Sequence, residues 1–250
     1  MQGLCAAPPP ASLTLIAGPN GVGKSTLLDT LAGDAAPAGG HVTFSGQPMH
    51  RLSLAARARC RAFLPQRVSL AFAFPVLDVV AMGLAPFGLA AASGTGRAIV
   101  EAAMADADVA RFAARPATQL SGGEQQRVHI ARTLAQVEAA RHAGVAHPLL
   151  LLDEPLTGLD YAHQFALMRR FAQAARDGAT VLLSLHDLAL GAAYADRLLL
   201  LGPDQPPAFA PPEVLMRPEI IAAAFALSLH EARRVLAAAH GGDPQAIAAE

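Results

Sequence analysis

Short apolar runs that end on glycine or on an acid alternate along this chain with longer stretches of helical period. Leu13–Ala17 is apolar or β-prone at every position and predicts a buried strand, and residues 25–31 then open an apolar-periodic helix. Residues 149–152 are all leucine and are closed by Asp153 and Glu154. An uninterrupted apolar run of that kind belongs to a strand covered on both faces of a parallel sheet. Residues 180–185 and 198–201 predict two more apolar strands, with shorter ones at 41–44 and Arg61–Leu64. Helices are predicted at 53–60 behind a Ser53 cap, at 75–115, at 124–140, at Tyr161–Arg176, at Leu188–Tyr194 behind Asp187, and at 218–240. The 75–115 stretch is alanine-rich and broken by Pro86 and by Ser93-Gly94-Thr95-Gly96, so it reads as a helical layer inserted into an α/β core. The Ala/Pro-rich residues 1–12 are expected to be disordered or loosely attached, 202–212 to be a proline-rich break, and 241–250 to be a tail without chemistry.

Between the first strand and its helix stands Gly18-Pro19-Asn20-Gly21-Val22-Gly23-Lys24-Ser25-Thr26, the spacing G-x-x-x-x-G-K-S. Glycines let the backbone curl until successive N–H groups point inward, and the helix that follows presents its positive dipole end. The lysine adds a point charge for outer phosphates, and the Ser25 hydroxyl suits a magnesium ion. A chance glycine-rich turn would need neither the strand before it nor the helix after it.

Composition sharpens this reading. The chain carries eighteen arginines within a Lys+Arg total of 19, so Lys24 is the single lysine among 250 residues. A planar guanidinium cannot replace a compact ammonium inside a phosphate loop. The hydrophobic fraction of 53% is high, yet the most apolar candidate, residues 180–202, is interrupted by His186, Asp187, Asp196 and Arg197, so no membrane span is expected. A net charge of -1 with scattered cations gives no electrostatic case for nucleic acid. No basic N-terminal region suggests export, and Cys5 and Cys60 are expected to be free thiols.

Three further stretches carry chemistry. In Leu120-Ser121-Gly122-Gly123-Glu124-Gln125-Gln126, Ser121 and Glu124 satisfy a capping box. A cap alone does not explain Gly122 and Gly123, since glycine in a first helical turn costs about 1 kcal/mol against alanine. Exposed backbone N–H groups that a phosphate approaches would explain them. Asp153 and Glu154 fall at the carboxyl end of a buried strand, where open α/β sheets bind ligands. A plain acidic turn would leave Pro155 and Thr157-Gly158-Leu159-Asp160 unexplained. His186 alone would be an ordinary polar residue, but it too stands at a strand's carboxyl end.

Phosphate loop, Pro65-Gln66 after a strand, LSGGEQQ, LLLLDE, TGLD and a histidine after a strand, in that order over residues 13–201, resemble the ATP-binding cassette ATPases of membrane transporters. The resemblance implies an α/β P-loop NTPase fold: a RecA-like parallel-sheet core at 13–74 and 136–201, a helical subdomain at about 75–135, and a C-terminal tail at 202–250. It implies a homodimer that closes on two ATP molecules, each between the phosphate loop of one copy and the signature segment of the other. ATP and Mg2+ are the implied cofactors. Residues 18–26 would bind phosphates; Ser25, Gln66 and Asp153 would hold magnesium directly or through water. Glu154 would polarise the attacking water, Lys24 and His186 would contact the γ-phosphate, Ser121, Gly122 and Gly123 would reach the partner's nucleotide, and Asp160 would link the two sites.

The family usually stacks an aromatic residue from an upstream strand pair on adenine, whereas no aromatic precedes Phe44 here. Either the true start lies upstream of Met1 or adenine is held less well. Leu64-Pro65-Gln66, Phe74-Pro75-Val76, the signature helix, the connection 136–148 and Leu159-Asp160-Tyr161-Ala162-His163-Gln164 look like the ATPases of haem importers, with ferric-siderophore and vitamin B12 importers as near relatives. This implies a subunit on the cytoplasmic face of a bacterial inner membrane, beneath a permease dimer and indirectly served by a periplasmic binding protein. Residues 75–92, with Val79, Val80 and Met82, are expected to form the permease-docking face. The rival readings are a soluble cassette ATPase in DNA repair or on ribosomes, and a nucleotide binder without turnover.

Overall fold

The structure, a computed structural model, describes residues 3–68 and 72–239, so the tail expected at 241–250 lies outside the described residues. In chain order the elements are β1 (Leu13–Ala17), α1 (Lys24–Ala32), β2 (Thr43–Phe44), β3 (Gln47–Pro48), α2 (Leu54–Cys60), β4 (Arg61–Leu64), α3 (Val76–Ala81), α4 (Gly94–Asp106) and α5 (Gly122–His142). They continue with β5 (Leu149–Asp153), α6 (Tyr161–Arg176), β6 (Thr180–Ser184), α7 (Leu188–Tyr194), β7 (Arg197–Leu200), β8 (Ala208–Ala210), α8 (Pro212–Leu215), α9 (Pro218–Phe225) and α10 (Leu229–Ala239). One sheet runs in the order β4-β5-β6-β1-β7-β8, parallel except for β8, which pairs antiparallel with β7. The fold is therefore α/β, with a mostly parallel six-stranded sheet.

Both faces of the sheet are covered, which explains why its central strands lack polar alternation. Successive side chains point to opposite faces. Ile16, Leu151, Leu182 and Leu199 pack with Leu27 and Leu28 of α1 on one face. Leu13, Leu15, Leu150 and Leu183 pack on the other with Ile130 of α5 and with Met168 and Phe171 of α6. Each fully buried leucine contributes about 1.5–3 kcal/mol relative to an exposed one.

The register decides where chemistry can occur. Ile16 and Asp153 both pair with Ser184, so β1, β5 and β6 end side by side. The segments leaving those ends are the phosphate loop, Glu154 and His186.

Several elements differ from expectation. The 202–212 stretch contains β8, because Leu198–Leu200 still has unpaired backbone to offer an antiparallel edge. The expected helix at 218–240 is two helices, separated at Ala226, whose φ of 54° is left-handed and ends α9. The helical layer is interrupted at residues 88–93, and Ser93-Gly94-Thr95-Gly96 restarts it as α4, with the Ser93 hydroxyl accepting from the Gly96 N–H at 3.0 Å. Residues 3–12 are attached: Ser12 is buried, its carbonyl accepts from the Val181 N–H, and Leu4 packs on the α1 side of the core. Val79 and Val80 are fully buried in α3, which corrects their assignment to a docking face; Leu77 and Met82 are the exposed apolar residues there.

Candidate active site

The phosphate loop folds as its glycines demand. Gly18 has φ 155°, and a Cβ there would lie 2.4 Å from the Leu201 carbonyl oxygen, so no larger residue fits. Gly23 precedes α1 at φ 103° with no side-chain cap, leaving the first N–H groups of the helix without an internal partner. The Lys24 ammonium bends back to donate to the Gly18 and Pro19 carbonyls at 2.8 and 3.1 Å. It is buried, and burial pushes its pKa down against the opposing pull of Glu154 and then Asp153. Asn20, Gly21 and Thr26 are exposed, with Pro19, Val22 and Ser25 half-buried, so the loop presents its backbone outward.

The acids at the end of β5 are held from the neighbouring strand. The Ser184 hydroxyl donates to Asp153 Oδ1 and accepts from the Glu154 backbone N–H at 2.9 Å. All three residues are buried. Glu154 adopts φ 47°, a left-handed conformation that is uncommon outside glycine and turns the chain sharply out of the sheet. Two side chains then meet on one oxygen: Gln66 Nε2 donates to Glu154 Oε2 at 2.8 Å, and His186 Nε2 lies 2.9 Å from the same atom. The residues Gln66, Asp153, Glu154 and His186, dispersed in sequence, thus form one connected cluster, and the electrostatic pull of both acids reaches Lys24.

Ser121, Gly122 and Gly123 lie elsewhere. Ser121 caps α5 in a full capping box with Glu124, whose carboxylate is held below its usual range by the Ser121 N–H and then by its hydroxyl. A Cβ on Gly123 would stand 3.1 Å from the Gly158 carbonyl oxygen, so this turn abuts the segment leading to Asp160. Gln126 donates to the Pro155 carbonyl at 3.2 Å. Asp160 caps α6 by accepting from the His163 N–H at 2.9 Å.

Sequence reasoning missed Ser184 as a site residue. Its one available signal was its place at the end of an apolar strand; that Asp153 is its neighbour follows only from the β5–β6 register.

The arrangement fits a nucleotide triphosphate, with curled backbone and a buried cation for the phosphates and a carboxylate nearby to orient water. It also fits a hard cation, because Ser25, Gln66 and Asp153 offer hydroxyl, amide and carboxylate oxygens. Among the described residues no group of three or more His, Cys, Asp or Glu is gathered that could hold a metal ion.

Comparison with known proteins gives the family. The family described as ABC transporter matches residues 8–157. The hemin import ATP-binding protein HmuV of Pseudomonas aeruginosa is 45% identical over 222 residues, covering 88% of this chain and 84% of its own. That of Pseudomonas putida is 44% identical over 223 residues, with the same two shares. Among solved structures, a metal-chelate type ABC transporter in an inward-facing conformation superposes with a TM-score of 0.68 at 28% identity, covering 87% of this chain and 78% of its own. A dimeric bacterial ABC transporter cassette in a post-hydrolysis state with ADP and phosphate gives the same TM-score and identity, over 78% and 83%.

Proposed function

The chain belongs to the ABC transporter ATP-binding family and is an ATP-hydrolysing cassette, and from that premise we propose that it drives the import of haem. The HmuV relatives are named for hemin import, and their similarity runs through most of both chains. A ferric-siderophore or vitamin B12 importer is the alternative, favoured by the metal-chelate type of the structural relative. The cargo does not contact this subunit, so its identity is decided by the permease and the binding protein outside the membrane.

The observation that carries the catalytic reading is the meeting of Gln66 and His186 on one oxygen of Glu154, beside the acid-facing Lys24. Phosphoryl transfer asks for positioning and charge neutralisation more than covalent help. Residues 18–26 cradle the phosphates by backbone N–H groups, and Lys24 leaves its two carbonyl partners to meet the outer phosphates. Ser25, Gln66 and Asp153 would hold Mg2+, which neutralises phosphate charge when bound. Glu154 orients and polarises the attacking water, steered by Gln66 and His186 through Oε2. His186 contacts the γ-phosphate.

The active unit in this reading is a homodimer in which Ser121, Gly122 and Gly123 of one copy complete the nucleotide site of the other and Asp160 links the sites. The cassette divides into a core at 13–74 and 136–201, a helical subdomain at about 75–135 and a tail at 202–250, with β8 joining the core sheet. The unit docks beneath a permease dimer on the cytoplasmic face of the inner membrane. A groove of about 350 Å³, lined by Leu54, Arg61, Phe63, Met82 and Gln136 between α2, β4 and α5, is the docking surface. Among the described residues no helix is long and apolar enough to cross a membrane.

Glu154→Gln tests the reading directly. ATP binding is expected to persist while hydrolysis falls by about 10² to 10⁴-fold, the usual worth of a positioned base. The variant should accumulate as an ATP-bound dimer on size-exclusion chromatography, and normal turnover would remove Glu154 from its role.

A further inference from the structure

His163, in the first turn of α6, lies between two carboxylates that belong to different parts of the molecule. Its Nδ1 is 2.7 Å from Asp160 Oδ2, and its Nε2 is 3.3 Å from Asp108 Oδ2. Asp160 ends the turn that follows Glu154, whereas Asp108 sits just past α4 at φ 51°. The same Asp108 oxygen accepts from Arg127 Nη1 of α5 at 3.0 Å, and Arg111 lies 3.1 Å away from it. Arg127 is buried and stands six residues from Ser121 along the signature helix. A chain of polar contacts therefore runs from the Asp160 turn through His163 and Asp108 to the helix that carries Ser121, Gly122 and Gly123.

The donor count gives this chain a condition. An ionised carboxylate only accepts hydrogen bonds, and a neutral imidazole has one N–H to give. Both carboxylates are ionised: Asp160 is held below the usual range by the His163 N–H and then by its ring, and Asp108, which burial pushes up, is brought below it by hydrogen bonds from His163 and Arg127. Only the imidazolium, with two N–H groups, can satisfy both at once. The charged groups facing the ring are Asp160 from its own helix, Asp108 and Arg111 from the segment after α4, and Arg127 from α5.

We infer that His163 is a positioning residue that ties the Asp160 turn to the signature helix through Asp108, and that the tie is complete only when the ring is protonated. This rests on the proposed role of Asp160 between the two nucleotide sites. The tie would let the signature segment and the Asp160 turn move as one body as the sites close.

Two readouts on the purified full-length chain test it. Hydrogen exchange over residues 106–112 and 157–165, corrected for intrinsic rates, is compared at pH 6 and pH 9 in the wild type, in His163→Gln and in His163→Arg. The wild type is expected to lose protection at both segments on going to high pH, His163→Gln to lack it at both pH values, and His163→Arg, with several fixed donors, to keep it at both. Steady-state ATP hydrolysis gives the second readout: kcat in the wild type falls as pH rises, His163→Gln is about tenfold lower at pH 6 with KM for ATP little changed, and His163→Arg restores kcat without the pH dependence. Exchange that is identical in the wild type and His163→Gln at both pH values overturns the tie whatever kcat does. Loosened segments with an unchanged kcat support the tie and count instead against the role given to Asp160.

Discussion

Ser184 carries more of this site than its side chain's size suggests. Its hydroxyl spans the Asp153 carboxylate and the Glu154 N–H, both buried, so Ser184→Ala strands two polar groups at once. A buried group left without its hydrogen bond costs about 1–3 kcal/mol. We expect a loss of that order in urea-unfolding stability together with a lower kcat, while Ser184→Thr keeps the hydroxyl and recovers part of both. Lys24 shows the complementary case. Its type and spacing were legible from sequence, because a compact cation next to glycines has one evident use, but the carbonyls that hold it and the acids that face it are separated by up to 136 residues of chain from one another.

At the scale of elements, α5 combines functions that its sequence does not separate. It is buried at Val128, Ile130, Ala131 and Leu134, it carries the capping box, and in its middle stands His129, which is 2% exposed with neither ring nitrogen hydrogen-bonded. Burial, and then the nearby Arg132, push its pKa down to about 4. In the unfolded chain the same ring takes a proton near pH 6.5. Between those values the unfolded state binds a proton that the folded state refuses, so this contribution to stability is complete above about pH 6.5 and is lost as pH falls towards about 4. The unfolding free energy from denaturant curves should therefore drop on acidification by up to about 3 kcal/mol through this group. His129→Leu should flatten that part of the curve, and an unchanged acid limb would show that other groups dominate it. The helix's start, its glycines and its length to His142 follow closely from local signals. The fate of His129 does not, because burial depends on what packs over it.

At the scale of the whole molecule, the parallel sheet gathers the ends of β1, β5 and β6 along one edge of the core, and α2, α5 and the segment after α3 set a groove beside β4. Leu54 is 73% exposed and Met82 42% exposed at this groove, whereas Val79 and Val80 are wholly buried. Charges at the valines would therefore test folding rather than docking. Leu54→Glu with Met82→Glu is expected to change thermal stability little, as surface substitutions do. It is expected to abolish co-purification with the membrane permease, and retained co-purification would move the docking face elsewhere.

The order of motifs, the strand and helix types and the identity of the phosphate loop were determined by sequence, because each depends on residues within a few positions of one another. Local spacing places a glycine at Gly18, a lysine at Lys24 and a cap at Ser121. Tertiary structure decided the rest. It added β8 where prolines suggested only a break, buried Val79 and Val80, made Ser184 the support of both acids, and joined Asp160 to Asp108 through His163. The Ser184 and His163 contacts join residues 30 to 55 positions apart. They exist only because strand register and helix packing bring distant parts of the chain to the same place, and no local pattern encodes that register.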